Sequence, residues 1–330
     1  MHISRRAFLS LLACTPILAG GCTRRDKTAA DGQLQSTFFC FDTVCAVGGS
    51  MTQEQLDATV ARCQSFEQTL SRTIATSDVG RINAAGGAPV EVAPETAELI
   101  ESALDYCSAS DGLFDITIGA VSELWDFHEG VVPSEAQIEA ALPHVGYELV
   151  RVDGTTVTLA DPDARLDLGG IAKGYVSDVL LDELAVAGVT SAYVNLGGNV
   201  KVLGAKPDGS PWKIGVRDPN APEDERSIAR VALTDGSVVT SGLYERQFEQ
   251  GGRRYWHILD PRTGYPVKSD LVSATIVSER SIDGDGYTKP LFMWGSGRAL
   301  TFLEDRGLEC LLVDSKGGIQ QTTGSSFELL

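Results

Sequence analysis

Two short stretches carry side chains whose types and spacing suit chemistry on a phosphate-bearing molecule. In Leu166-Asp167-Leu168-Gly169-Gly170-Ile171-Ala172-Lys173-Gly174-Tyr175 a strand-like run meets two glycines and then a helical pattern. Glycine lets backbone approach a ligand closely, free amides at a helix start point towards an anion, and Lys173 adds positive charge in the first turn. The pattern is neither G-x-G-x-x-G nor a Walker loop, and a tight structural turn has the same composition. The second stretch holds His257, one of four histidines, at the end of a β-like run just before Asp260-Pro261. A lone histidine in such a place braces the turn by hydrogen bonding or moves a proton.

These residues need elements to hold them. Phe38 to Val47 is rich in aromatic and β-branched residues and reads as a strand, and Thr52 to Leu70 has apolar positions at helical spacing. A polar turn region follows through Ser77 and Gly80. A helix is predicted from Pro94 to Ala109, then an apolar stretch from Phe114 to Trp125, then a helix starting at Pro133-Ser134-Glu135 with Ser134 as N-cap. The second half has short β-rich runs at 148–152, 156–160, 191–195, 199–204, 212–216, 228–233 and 272–277, interrupted by helices Ala172 to Ala187 and Gly297 to Arg306. The class is α+β, with mixed but mainly antiparallel sheets and flanking helices.

Several blocks, in order over roughly 250 residues, resemble the FAD:protein FMN transferases of the ApbE family. They are Leu70-Ser71 with Ser77-Asp78-Val79 and Ile82-Asn83; Gly112-Leu113-Phe114-Asp115-Ile116-Thr117-Ile118-Gly119 with Leu124-Trp125; Asp167 to Tyr175; Asn195-Leu196-Gly197-Gly198-Asn199; Thr240-Ser241-Gly242 with Arg246; and His257-Ile258-Leu259-Asp260-Pro261-Arg262-Thr263-Gly264, followed by Asp285 ten residues before Gly295. The resemblance implies an ApbE-like fold and an enzyme that splits FAD, its substrate, with Mg²⁺. It would place the FMN half on a Ser/Thr hydroxyl of a target flavoprotein and release AMP.

Moving a phosphoryl group needs charge neutralised on its oxygens and reactants held in line, for which Mg²⁺ on oxygen ligands is the usual device. By resemblance Asp285 and the Gly170 carbonyl are metal ligands, while Asp283 of Asp283-Gly284-Asp285-Gly286 is a turn residue. The family usually has threonine four residues after this aspartate, where this chain has Lys289 beside Thr288. An ammonium has no lone pair to give a metal. Either Thr288 and backbone oxygens complete the shell, or Lys289 contacts phosphate and substitutes for part of the metal's charge. The resemblance further implies FAD contacts at Asp167, Lys173, Leu113, Phe114, Asp115, Leu259, Phe41 and Thr73. It makes His257 the base that accepts the proton of the attacking hydroxyl, with a pKa near the working pH, while Asp260 orders the turn. Two rival readings keep the same site: an FAD diphosphatase that uses water as acceptor, and a non-catalytic flavin-binding lipoprotein.

The first 22 residues read as an export signal, with Arg5-Arg6-Ala7-Phe8-Leu9, an apolar run from Leu11 to Ala19, and Gly20-Gly21-Cys22. The paired arginines resemble a twin-arginine signal, and Cys22 resembles a lipoprotein cleavage site. The expectation is an exported protein, anchored by lipid on Cys22 to the outer face of the cytoplasmic membrane. A flexible polar tether over 23–36 and a transferase domain over 37–330 follow. With 43% hydrophobic and 22% charged residues the chain is neither disordered nor a multi-span membrane protein. Its net charge of −18 deepens when Arg5 and Arg6 are removed, which excludes nucleic acid as a partner. An anionic ligand then needs a local positive site. Cys40, Cys45, Cys63, Cys107 and Cys310 form no C-x-x-C pair, which argues against a zinc site and a dense disulfide framework and leaves one bridge open.

Overall fold

Helix starts in this chain are set by side chains that satisfy the first free amides. The computed structural model describes residues 24–28, 32–221, 224 and 226–330. Helix α1, Gln53–Leu70, opens on a capping box: Thr52 Oγ1 accepts from the Gln55 amide at 3.2 Å, and Gln55 Oε1 accepts from the Thr52 amide at 2.9 Å. Ser77 caps α2, Asp78–Ala84, and Pro94 begins α3, Pro94–Ala109. The short α4, Gly119–Ser122, is followed by α5, Glu135–Ala141, capped by Ser134 as expected. Helices α6, Ala172–Val186, and α7, Ser281–Glu304, have no side-chain cap of their own. Gly295 breaks α7 with φ 72°.

The strands are β1 Arg25–Thr28, β2 Leu34–Cys40, β3 Thr43–Gly49, β4 Val90–Glu91, β5 Val150–Asp153, β6 Thr156–Leu159, β7 Ala192–Leu196, β8 Asn199–Leu203 and β9 Trp212–Arg217. They continue with β10 Ser227–Leu233, β11 Gly236–Gly242, β12 Gln247–Gln250, β13 Arg253–Trp256, β14 Leu271–Ser278, β15 Glu309–Asp314, β16 Ile319–Gln321 and β17 Glu328–Leu329. Among the described residues nine strands form one antiparallel sheet in the order β1-β2-β3-β7-β8-β11-β14-β15-β16. Smaller sheets are β17-β10-β9, β12-β13 and β4-β6-β5.

Side chains on a strand alternate between faces, and the central strands are buried on both. Cys310 and Leu312 of β15, with Ala274 and Ile276 of β14, face the α7 side and pack with Leu291, Phe292 and Leu303. Their neighbours Leu311, Val313 and Val277 face the other way, onto Val216, Ala229 and Val231 of the β9–β10 sheet. The largest core lies between β2, β3 and β7 and helices α1, α3 and α6. A smaller apolar cluster around Val121, Trp125, Ile138, Tyr255 and Leu259 supports the β12–β13 hairpin.

Three expectations change. Phe38 to Val47 is not one strand but the hairpin β2–β3, turned at Phe41 and Asp42 with φ 52° and 56°. Left-handed backbone at two non-glycine residues matches the twist of a tight hairpin, and Glu67 Oε1 holds the Phe41 amide at 2.6 Å. The polar segment 23–36 contains strand β1 and the start of β2, antiparallel to each other, so it is only partly irregular. The helix expected from Gly297 begins sixteen residues earlier at Ser281, and Asp283 and Asp285 are helical. Cys40, Cys45, Cys63, Cys107 and Cys310 are all buried and unbridged. The export signal and Cys22 lie outside the described residues.

Candidate functional site

The junction of α6 and α7 is built on reciprocal capping. Asp178 of α6 accepts from the Ser281 and Ile282 amides at 2.8 and 3.0 Å, capping the start of α7. Asp285 of α7 accepts from the Gly174 amide at 2.7 Å, in the first turn of α6. A carboxylate at a helix start is favoured by the free amides and the helix dipole. The contact is close because Gly174 has no Cβ: one built there would lie 2.6 Å from the Ser281 carbonyl oxygen. Likewise a Cβ on Gly284 or Gly286 would strike Val239 at 2.5 Å or Tyr106 at 2.4 Å.

The carboxylate of Asp285 is therefore crowded. Oδ2 takes the Gly174 amide and also Asn199 Nδ2 at 2.8 Å; Oδ1 takes Lys289 Nζ at 2.8 Å. Lys289 Nζ also reaches the Asp285 carbonyl oxygen at 3.1 Å. Burial works to raise the Asp285 carboxyl, but the Lys289 and Lys173 charges and these hydrogen bonds outweigh it and hold it below the ordinary range. Burial in turn lowers the Lys289 ammonium, against the pull of Asp285.

A cavity of about 1510 Å³ opens beside this junction. It brings together Phe41, Thr73, Leu113, Phe114, Asp115, Asp167, Gly170, Lys173, His257, Leu259, Asp285 and Lys289, residues spread over some 250 positions of the chain. Thr288 is the exception among the expected site residues: it does not line the cavity and is fully buried, its hydroxyl bonded to Ser241 Oγ at 2.8 Å. Asp115 lines the wall, but its carboxylate is spent on Thr117 Oγ1 and on the amides of Thr117 and Tyr147. Asp167 pairs with Arg72 at 3.0 Å and accepts from Ser122 and the Gly169 amide. Thr73 bonds to Ser71 Oγ at 2.9 Å.

The expectation of free amides at the α6 start holds only for Gly170 and Lys173, whose N–H groups have no hydrogen-bond partner among the described residues. The Gly169, Ala172 and Gly174 amides go to Asp167, the Leu168 carbonyl and Asp285. Cationic side chains add a local positive cluster within a lining that also carries carboxylates. Lys173, Lys289, Arg217 and Arg246 all act on Glu245, whose carboxyl desolvation nevertheless keeps above its ordinary value. Burial first, then Arg246, Lys289 and Lys173, push His257 down to about 3. That is well below the near-neutral pKa expected for a base. The imidazole is uncharged, and its Nδ1 is buried without a partner. Asp260 orders the following turn, accepting from the Arg262 amide and gripping its guanidinium at 2.9 and 2.7 Å. Asp178, Arg217 and Glu245 carry no signal that single-sequence reading isolates, since each matters through a contact made across the fold, while Asn199 closes one of the family blocks without a role assigned to it there.

Magnesium demands near-octahedral oxygen ligands at about 2.0–2.1 Å. Of the two junction carboxylates, Asp178 and Asp285, only Asp285 lines the cavity, and it is already engaged by three N–H donors, one of them an ammonium where a cation would sit. Thr288 is turned to Ser241, and Lys289 has no lone pair to offer. As these side chains stand, the donor set does not fit a magnesium ion at Asp285. The cluster of metal-ligating side chains found among the described residues, His144 with Asp161 and Asp163, lies outside the cavity.

The profile of the ApbE family matches residues 40–312. A FAD:protein FMN transferase of Klebsiella pneumoniae is 42% identical over 246 residues, covering 73% of this chain and 76% of that protein. One of Treponema pallidum is 33% identical, covering 96% and 93%. Among solved structures, the ApbE protein of Thermotoga maritima superimposes with TM-score 0.81 at 31% identity over 91% of this chain and 97% of that one. The flavin transferase ApbE of Vibrio cholerae gives 0.79 at 26% over 89% and 97%. With its profile matched over most of the chain and its mixed, mainly antiparallel architecture shared, this protein belongs to the ApbE family.

Proposed function

We propose that the chain transfers the FMN moiety of FAD to a Ser or Thr hydroxyl of a target protein and releases AMP. The observation that carries this reading is the gathering of Lys173, Lys289, Arg217 and Arg246 around one large cavity in a chain of net charge −18. Such a cluster is the local positive site that a pyrophosphate needs. The apolar side chains of Phe41, Leu113, Phe114 and Leu259 give walls suited to flat rings. The relatives in Klebsiella and Treponema bear the name of this activity.

In the reaction the hydroxyl oxygen of the acceptor bonds to the FMN phosphorus. The bond from that phosphorus to the bridging oxygen breaks, its electron pair remaining on the AMP phosphate. The hydroxyl proton passes to the neutral imidazole of His257, which lines the cavity. Burial is the main reason the His257 pKa is low, and an anionic pyrophosphate would oppose only the smaller part that comes from Arg246, Lys289 and Lys173. Lys173 and the arginines hold the phosphates, and Asp167, tied to Arg72, shapes the floor beside Gly170.

The test is to incubate the chain with FAD and candidate flavoproteins and weigh the acceptor. A gain of one FMN less one water, with equimolar AMP, is expected. AMP and free FMN without a mass gain would favour the diphosphatase, and FAD binding without AMP the non-catalytic lipoprotein. We further propose export and lipid anchoring on the outer face of the cytoplasmic membrane, supported by Arg5-Arg6 and Cys22. No helix among the described residues is long and apolar enough to cross a membrane. Cys22→Ser should release the protein from the membrane fraction.

A further inference from the structure

The α6–α7 junction already contains a fixed cation. Lys289 Nζ lies 2.8 Å from Asp285 Oδ1 and 3.1 Å from the Asp285 carbonyl oxygen, so two of its three N–H donors are directed at one residue. Asp285 cannot turn away, because Gly174 and Asn199 hold its other oxygen. The lysine side chain is 17% exposed, and both it and Lys173 line the cavity. One donor is therefore left to face a ligand oxygen, at a place fixed by buried hydrogen bonds.

We propose that Lys289 serves as the built-in counter-ion for the pyrophosphate, in place of a divalent metal, so that the chain binds and cleaves FAD without one. Asp285 with a divalent ion would present a net single positive charge to the ligand; Asp285 with Lys289 presents none, which leaves Lys173 on the facing helix as the net positive charge at this corner. A second cation beside Lys289 would meet direct Coulomb repulsion, doubled for a divalent ion. Charge on the leaving AMP oxygen is then met by ammonium and guanidinium groups.

The inference rests on the reading that the cavity takes FAD, and the experiment separates the two. The full chain, stripped with EDTA, is titrated with FAD by fluorescence quenching, with and without added Mg²⁺, and AMP release is followed in parallel. Mn²⁺ binding in the presence of FAD is read by electron paramagnetic resonance. The wild type should bind FAD and release AMP equally in EDTA and in Mg²⁺, and should hold no stoichiometric Mn²⁺. Lys289→Thr should acquire a Mn²⁺ site and a Mg²⁺-dependent FAD affinity. A rise in wild-type affinity of about tenfold or more with Mg²⁺, or one tightly bound Mn²⁺, overturns the inference and leaves the flavin reading intact. Failure to bind FAD under either condition sinks both. The wild-type measurement decides even where the variant does not fold.

Discussion

The two ends of the cavity carry similar charges in opposite settings. At the α6–α7 end Asp285 is 1% exposed and every oxygen of its carboxylate has an N–H partner. At the β2–β3 turn Asp42 meets Arg246 at 3.2 Å and His128 at 3.1 Å, with all three side chains largely exposed. Water competes for the second set and not for the first, so equal-looking ion pairs differ in what they hold. The inner end has the rigidity to position a phosphate. The outer end is free to adapt to a protein surface.

Breaking the inner end should cost most. Asp285→Ala leaves Lys289 buried without its carboxylate and the Gly174 amide and Asn199 unpaired, and should lower unfolding free energy by about 3–5 kcal/mol in urea titration. A loss below about 1 kcal/mol would put this pair in the same class as those at the mouth. His257 lies between the two ends. His257→Ala should slow FMN transfer by about 10²–10⁴-fold while FAD still binds, and near-normal transfer would remove it from the mechanism.

The same histidine sharpens the comparison through pH. Its pKa is about 3 in the fold against 6.5 as the ordinary value, so below 6.5 the unfolded chain takes up a proton that the folded chain refuses. Stability should therefore fall as pH drops from 6.5 towards 3, with this group contributing up to about 1.4 kcal/mol per pH unit. His257→Gln should flatten that part of the curve, and an unchanged slope would mean the imidazole is not held neutral. The smallest effect is expected at the mouth. Asp42→Asn should change stability by about 0–1 kcal/mol, and less at high salt.

Where a local rule decides structure, the sequence was readable. Ser134 caps its helix, Pro94 opens another, and the periodic run after Thr52 is α1. The family blocks also led to the residues that meet in the cavity. Reading failed where tertiary packing overrules local preference. Gly284, Gly286 and Pro290 look like helix breakers, yet α7 runs through them because Val239 and Tyr106 occupy the space of the missing Cβ atoms. The β2–β3 hairpin was hidden because its turn uses Phe41 and Asp42 rather than Asn-Gly or Gly-Gly. Thr288 is beside Lys289 in sequence, but the helix turns it towards Ser241 and away from the cavity. The lowered basicity of His257 arises first from burial and then from cations supplied by three separate segments.

The reciprocal caps have a consequence for the order of assembly. Gly174 and Asp285 are 111 residues apart, Asp178 and Ser281 103, and Asn199 and Asp285 86. Contacts of such separation are reached only after the entropy of closing long loops has been met. Neither helix can finish its own first turn without the other, so the corner that would hold the phosphates cannot exist in a half-folded chain. It closes with the global fold and opens with it, and an incompletely folded molecule has no phosphate corner with which to sequester FAD.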